Sequence, residues 1–267
     1  MSDAVPPCVL IISGNDPSGG AGMTADLQAT SALGAHPAPV ITSLTVQDTS
    51  NAYRVDAVDP GLVAEQARAV LADLPVAAIK IGLLADAGIG EAVAEVLEEH
   101  PTPPVVIDPV LVDAGGAQLA ERSLETVLME RLFPLATLLT PNALELRRLG
   151  GETGDRDSRA RRLLATGADW VLAKGADEDT PGVENALYGP GEFVEVSRWR
   201  RLPGDYHGSG CTLASAITAL LASGAAVQRA VAEGQKYTYE CLMQAYRPGR
   251  GQFVPRRFHE THEAEDA

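Results

Sequence analysis

Lysine is nearly missing from this chain: Lys80, Lys174 and Lys236 are the only three among 21 basic residues, set against 36 acidic ones. The net charge of −15 excludes the usual binders of nucleic acid and anionic membrane, which need a basic face. It also means that any anionic ligand needs positive charge supplied locally, against the overall field. The acidic, arginine-rich composition fits a high-salt cytoplasm, and it fits solubility alone equally well. Cysteine is scarce too. Cys8, Cys211 and Cys241 are odd in number and imply no disulfide framework. No apolar run is long enough to span a bilayer. The opening Met1-Ser2-Asp3-Ala4-Val5-Pro6-Pro7 has neither the basic nor the apolar region of a signal peptide, so a cytoplasmic location is expected. No repeat of fixed period, linker or shift in composition divides the 267 residues. One domain over residues 1–267 is expected, with a polar, frayed tail from about residue 248.

Short apolar runs recur along the chain. Val9-Leu10-Ile11-Ile12 is unbroken, as in a strand covered on both faces. Strand patterns follow at residues 40–46, 78–81, 105–107, 137–140 and 170–173, with helical patterns at 23–33, 60–74 and 88–100. Such alternation implies right-handed crossovers, a mostly parallel sheet and a ligand crevice at the carboxyl ends of the strands. Polar residues close several of the runs: Asp16, Gln47, Asp108, Asn142 and Lys174 would converge on one rim. Residues 186–188 and 193–196 read as a hairpin turning at Gly189-Pro190-Gly191.

Two glycine stretches punctuate this pattern. In Ser13-Gly14-Asn15-Asp16-Pro17-Ser18-Gly19-Gly20-Ala21-Gly22 the spacing of Gly14 and Gly19 is that of a Walker A loop, but Gly20 and Ala21 stand where lysine and Ser/Thr belong. The Rossmann fingerprint fails as well, at Asp16. The second stretch, His207-Gly208-Ser209-Gly210-Cys211-Thr212-Leu213, opens a small-residue helical pattern with Gly224 just past its apolar end. Glycine lets backbone N–H groups approach a ligand, and the free N–H groups of a first turn together with the helix dipole attract phosphate. Cys211 falls in that first turn, where a thiol pKa is expected to drop.

The ordered set of Gly14-Asn15-Asp16-Pro17-Ser18-Gly19-Gly20-Ala21-Gly22, Thr45-Val46-Gln47-Asp48-Thr49, Lys80-Ile81-Gly82-Leu83, Asp108-Pro109-Val110, Leu139-Thr140-Pro141-Asn142 with Glu145, Lys174-Gly175 and residues 207–213 resembles the ribokinase-like kinases of vitamin precursors. Within them it is most similar to the hydroxymethylpyrimidine/phosphomethylpyrimidine kinases of thiamin biosynthesis, over residues 9–240 or so. Each piece alone is weak; the order makes the set specific. The resemblance implies a three-layer α/β/α sandwich with a mostly parallel central sheet, and ATP-dependent phosphorylation of the hydroxymethyl group of 4-amino-5-hydroxymethyl-2-methylpyrimidine and then of its monophosphate. It implies Gln47, Ala21, Gly14, Asp16, Leu83 and Val110 at the substrate. Lys174, Asn142, Thr140 and Asp108 would meet the nucleotide, and Glu145 with Asn142 would hold Mg²⁺ on its phosphates. The backbone N–H groups of Gly208, Ser209, Gly210 and Cys211 would receive the charge that develops on the transferred phosphoryl oxygens. A homodimer is the family precedent.

The residues themselves leave alternatives. Asn142 and Glu145 also read as a helix-capping box. Cys211 would sit beside the attacking oxygen as base, as thiolate or as a positioned donor, and a lowered pKa favours the base. Asn15, Asp48 and Ala176-Asp177-Glu178-Asp179 depart from the family pattern, the last adding acid near the nucleotide. Residues 198–206 are a lid candidate. A cysteine-bearing pyridoxal kinase is the main competing function, and a non-catalytic pyrimidine-binding protein is the alternative from another class.

Overall fold

A computed structural model describes residues 5–99, 103–111, 122–178 and 180–258. The chain runs β1 (Cys8–Asn15), α1 (Gly22–Ala32), β2 (His36–Gln47), β3 (Ala52–Ala57), α2 (Pro60–Asp73), β4 (Val76–Ile81), α3 (Ala87–Glu98), β5 (Val105–Ile107), α4 (Arg122–Val127) and β6 (Leu138–Leu139). It continues with α5 (Ala143–Gly150), α6 (Arg156–Leu164), β7 (Trp170–Ala173), β8 (Gly182–Tyr188), β9 (Val194–Arg200), α7 (Ser209–Ala222) and α8 (Val227–Met243). Among the described residues the strands form one sheet in the order β3-β2-β1-β4-β5-β6-β7-β8-β9. The stretch from β2 to β7 is parallel, and β3, β8 and β9 join antiparallel at the two edges.

Side chains alternate across the sheet, and both faces are covered. Leu10, Ile12, Ile79, Ile81 and Ile107 pack with α2, α3, α5 and α6 in the larger core. Val9 and Ile11 point the other way, onto Met23 of α1 and Ala219 of α7. Val106, Leu138 and Leu172 share that second face with α7 and α8. The expected three layers are therefore present, and apolar runs without alternation are what a doubly covered parallel sheet requires. No helix among the described residues is long and apolar enough to cross a membrane.

β2 begins earlier than its β-branched run suggests and passes through Pro37 and Pro39. His36 N donates to Pro7 O beside β1 at 2.9 Å. By alternation, positions 37 and 39 turn their nitrogens to the other side, where β3 pairs only from Ser43 onward. A missing N–H costs nothing on that open edge. The helices expected at 23–33, 60–74 and 88–100 are α1, α2 and α3; His100 lies outside the described residues. The expected hairpin is longer at both ends, as β8 and β9.

Two expectations are corrected. Residues 198–200 do not belong to a lid, because they complete β9, and Arg198 Nε donates to Glu184 of β8 at 2.7 Å. Arg201 donates to the carbonyls of Ala176, Glu178 and Thr180, fixing that turn. Nor is the segment from 248 frayed as far as residue 258. Gln252 N donates to Thr49 O at 2.8 Å, Phe253 N to Asp205 O at 2.9 Å, and Arg256 N to Cys241 O at 3.1 Å. Val254 and Arg257 are buried. Residues 259–267 lie outside the described ones.

Candidate active site

The carboxyl ends of the parallel strands open into one cavity of about 590 Å³. Gly14 and Asp16 follow β1, Gln47 ends β2, Leu83 follows β4, Asp108 and Val110 follow β5, and Lys174 follows β7; all line it, with Ala21, Asn142 and Glu145. The first turn of α7 closes the opposite wall with Gly208, Ser209, Gly210 and Cys211. Fourteen of the fifteen residues expected at the site thus face one space. Thr140 does not. It is fully buried, and its hydroxyl donates to Asp108 Oδ1 at 3.0 Å, so it orients the carboxylate instead of touching a nucleotide.

Gly208 caps α7 with φ +77°, and no side chain occupies the cap. The first satisfied N–H is that of Thr212, which donates to Gly208 O at 3.0 Å. The N–H groups of Ser209, Gly210 and Cys211 precede it and, among the described residues, have no acceptor, so they face the cavity at the positive end of the helix dipole. A methyl group on Gly210 would come 3.1 Å from Lys174 Nζ and 3.6 Å from Asp108 Oδ2, which shows how closely the cation and the N–H cradle are set.

Lys174 Nζ donates to Asp108 Oδ1 at 2.8 Å. Burial pulls the lysine pKa down, but Asp108 and Glu145 outweigh it and hold the ammonium at about 12. Burial pushes Asp108 up, and the charges of Lys174 and Lys80 bring it below the usual carboxylate range. Glu145 goes the other way. Burial and the neighbouring Asp108 overcome Lys174 and push it to about 8. The capping box is also real: Asn142 Oδ1 accepts from Leu144 N and Glu145 N, both at 2.9 Å, and Asn142 N donates to Glu145 Oε2 at 2.9 Å. The cap leaves Asn142 Nδ2 and the second Glu145 oxygen outside these bonds, so it does not compete with the expected ligand role.

Cys211 departs from expectation. Burial, reinforced by Asp26 and Asp108, pushes its thiol up to about 11, although Lys80 and an N–H from Gly22 pull the other way. The helix dipole does not win, because burial of the sulphur, with the charges of Asp26 and Asp108 added to it, favours the neutral thiol. Beneath it lies a fully buried pair: Lys80 Nζ donates to Asp26 Oδ2 at 2.7 Å, and Ser215 Oγ of α7 donates to Asp26 Oδ1 at 2.8 Å.

Asp16 is less a substrate contact than the organiser of the first glycine loop. It accepts from Ser18 N and Ala21 N, each at 2.8 Å, and from Ser18 Oγ at 2.9 Å. His207 Nε2 lies 2.8 Å from its Oδ2 and 3.0 Å from Gln47 Nε2. Burial favours the protonated acid, but these donors, His207 first, keep Asp16 ionised below the usual range. His207 carried a signal that sequence reasoning passed over, since it adjoins the glycine turn. Arg257 carried none. From beyond α8 it reaches back, with Nη2 donating to Gly20 O at 2.5 Å, Nη1 to Gln28 Oε1 at 3.1 Å and Nε to Thr212 Oγ1 at 2.9 Å. The far wall, also unforeseen, is Asn185, Gln235 and Trp199. Both Asn185 Nδ2 and Trp199 Nε1 donate to Gln235 Oε1, at 2.9 and 3.0 Å. Of the departing residues, Asp48 accepts from Ser50 N and Asn51 N in the exposed β2–β3 turn, and Asp177 stands at the cavity rim. Asp179 lies outside the described residues.

Comparison with known proteins agrees with this geometry. Residues 16–256 match the phosphomethylpyrimidine kinase family. The chain belongs to that family. It is 40% identical over 252 residues to the hydroxymethylpyrimidine/phosphomethylpyrimidine kinase of Mycobacterium tuberculosis, covering 92% of each chain. It is 40% identical to the thiamine biosynthesis bifunctional protein of Geobacter sulfurreducens, and spans only half that protein's length. Among solved structures, the phosphomethylpyrimidine kinase of Clostridium difficile superposes with a TM-score of 0.76 at 33% identity over 88% of this chain and 99% of that one. The ADP complex of Bacillus subtilis pyridoxal kinase does so with 0.86 at 28% identity over 95% and 98%. As a phosphomethylpyrimidine kinase family member the chain is a phosphotransferase, and its ribokinase-like fold is that of both neighbours.

Proposed function

We propose that this protein transfers the terminal phosphoryl group of ATP to the hydroxymethyl oxygen of 4-amino-5-hydroxymethyl-2-methylpyrimidine, and then phosphorylates the monophosphate, in the cytoplasm. One observation carries the reading: a carboxamide at the end of β2 and a basic, N–H-lined helix start share a single cavity. Gln47 offers a donor and an acceptor side by side, the complement of a ring nitrogen beside an exocyclic amine. Leu83 and Val110 supply apolar walls for the ring. The N–H groups of Ser209, Gly210 and Cys211, with Lys174, face the charge that develops on the transferred oxygens, the usual means of accelerating phosphoryl transfer.

The substrate oxygen forms its bond to the γ-phosphorus as the bond to the β–γ bridging oxygen breaks, and ADP leaves. At neutral pH Cys211 is a thiol, so it serves as a positioned group beside the hydroxymethyl oxygen, and the hydroxyl proton passes to a transferred phosphoryl oxygen, and from there to water, as the bond forms. A loose transition state needs little prior deprotonation. Among the described residues no group of three or more His, Cys, Asp or Glu could hold a metal alone. Yet Asp108 and Glu145 share Lys174, with Asp177 near Glu145, and the excess acid adds to burial in keeping Glu145 protonated. That donor set fits Mg²⁺ arriving on the nucleotide with most of its waters, with Glu145 and Asn142 turned toward it. Bound there, the ion would neutralise phosphate charge.

Pyridoxal phosphorylation is the second reading, favoured by the 0.86 TM-score to pyridoxal kinase. ADP release by the purified protein, measured with the pyrimidine, its monophosphate and pyridoxal in turn, decides between them. Turnover of pyridoxal alone would overturn the pyrimidine assignment, and no ADP release with any of the three would leave a binding protein.

A further inference from the structure

The hydrogen bonds around Gln47 contain an arithmetic that fixes which way its amide faces. Asp16 Oδ2 already accepts from Ser18 Oγ and Ala21 N, so it carries no proton, and the atom it meets on His207 must donate. His207 Nε2 is thus an N–H. An amide nitrogen cannot donate to an N–H, yet Gln47 Nε2 stands 3.0 Å from that same atom. The other end of the amide is poorly matched too. The Thr45 hydroxyl has one hydrogen and lies 3.0 Å from Asn15 O, a carbonyl that can only accept, and 3.2 Å from Gln47 Oε1, which can only accept as well. A half-turn of the carboxamide about its last bond exchanges oxygen and nitrogen with no change in shape; it removes the facing donors at His207 and gives Thr45 one partner to donate to and another to accept from. The single His207 Nε2–H then points to Asp16 and takes the Gln47 oxygen as the second acceptor of a three-centre bond; Thr45 donates to Asn15 O and accepts from the Gln47 nitrogen.

We infer that His207 is a positioning residue that locks the Gln47 oxygen toward itself and the Gln47 nitrogen toward Thr45, so that the pocket offers an acceptor on the Asp16 side and a donor on the Asn15 side. The orientation of the substrate rests, in addition, on the pyrimidine reading. A substrate with adjacent amine and ring nitrogen binds with its amine toward His207 and its ring nitrogen toward Thr45. The reverse order would pair donor with donor and acceptor with acceptor, the repulsive arrangement that gives specificity in buried polar sites. The order of Asp16, His207, Gln47 and Thr45 along the rim therefore sets which ring edge faces Cys211.

The first test needs no substrate. In the intact protein labelled with ¹⁵N-histidine, only five histidines contribute to a long-range ¹H–¹⁵N spectrum, and His207→Gln identifies the signal of interest. The expected result is a proton on Nε2. A bare Nε2 with the proton on Nδ1 would overturn the inference, whatever the enzyme acts on. The second test is kinetic. His207→Leu removes the shared donor and should raise KM for the pyrimidine about ten-fold or more while leaving KM for ATP within about two-fold, and His207→Gln, which keeps an N–H, should recover part of the loss. Equal rises in both KM values, or none in the pyrimidine's, would reduce His207 to scaffolding. Failure of the wild-type enzyme to use the pyrimidine at all would sink the function and leave the spectrum to decide the amide.

Discussion

A single methyl group at position 208 tests the whole arrangement. Gly208 holds φ +77°, and a Cβ built there would lie 2.0 Å from Gly20 O and 2.9 Å from Ala21 Cα, which are backbone atoms of the facing glycine loop. The left-handed conformation costs an alanine about 1–2 kcal/mol. The contact cannot be relieved by turning a side chain, so the loop and the helix start must part by about 1 Å or more to reach ordinary contact distance. A displacement on the order of 1 Å between reacting groups costs about 100-fold in rate. Gly208→Ala should therefore lower kcat/KM by about that factor, equivalent to about 2.7 kcal/mol. Gly224, at the other end of α7, is the control: it has φ +86° and nothing within 4 Å of its would-be Cβ. Gly224→Ala should lose the conformational 1–2 kcal/mol, roughly 2–8 °C in Tm, and keep its activity. Steady-state kinetics and thermal unfolding of the two variants settle the matter. Gly208→Ala retaining kcat/KM within about three-fold of the wild type would refute the claim that the loop and α7 are pressed together for catalysis.

Three further outcomes are expected. Because burial lifts the Cys211 thiol to about 11, its alkylation at pH 7.5, followed by peptide mass spectrometry, should run about two orders of magnitude below a free thiol and climb about ten-fold per pH unit to pH ~10; a plateau below pH 8 would restore the thiolate. Glu145 keeps its proton to about pH 8 in the folded protein, against about 4.3 in an unfolded chain, so its contribution to stability is complete below that lower value and is lost as pH rises to 8. Glu145→Gln keeps the cap acceptor without the charge. Its Tm should sit near the wild type's at pH ~5 and above it at pH ~8.5, with a higher KM for Mg·ATP; identical curves would show that the carboxyl is not strained. Arg257→Ala removes the donors held on Gly20 O, Gln28 and Thr212. It should open the glycine loop to limited proteolysis and lower kcat about ten-fold or more, whereas an unchanged cleavage pattern would show the brace to be redundant.

The sheet and much of the site could be read from the chain because a parallel sheet buried on both faces leaves polar residues only at its strand ends. Gln47, Asp108 and Lys174 stand out for that reason. β3 escaped notice because it is an edge strand, exposed or part-exposed at every position from 52 to 57, and has no apolar face to betray it. Cys211 was legible in place but not in ionisation, since the local rule about helix starts says nothing of how deeply the fold buries the thiol or of Asp26 and Asp108 brought up from elsewhere. The same holds for Thr140, whose hydroxyl could serve a ligand or a neighbour equally until Asp108 stood beside it. Arg257 is the extreme case. Its segment is polar, as a loose tail would be, and only the fold reveals that each polar group meets a distant carbonyl or hydroxyl.

That brace also orders events in time. The loop between β1 and α1 is synthesised well before the guanidinium that holds its carbonyls, which follows 237 positions later. A nascent chain can lay down strands β1 to β7 and their helices well before then. It acquires a braced glycine loop only when residue 257 clears the ribosome, so a chain that stopped just short of Arg257 would fold yet turn over slowly.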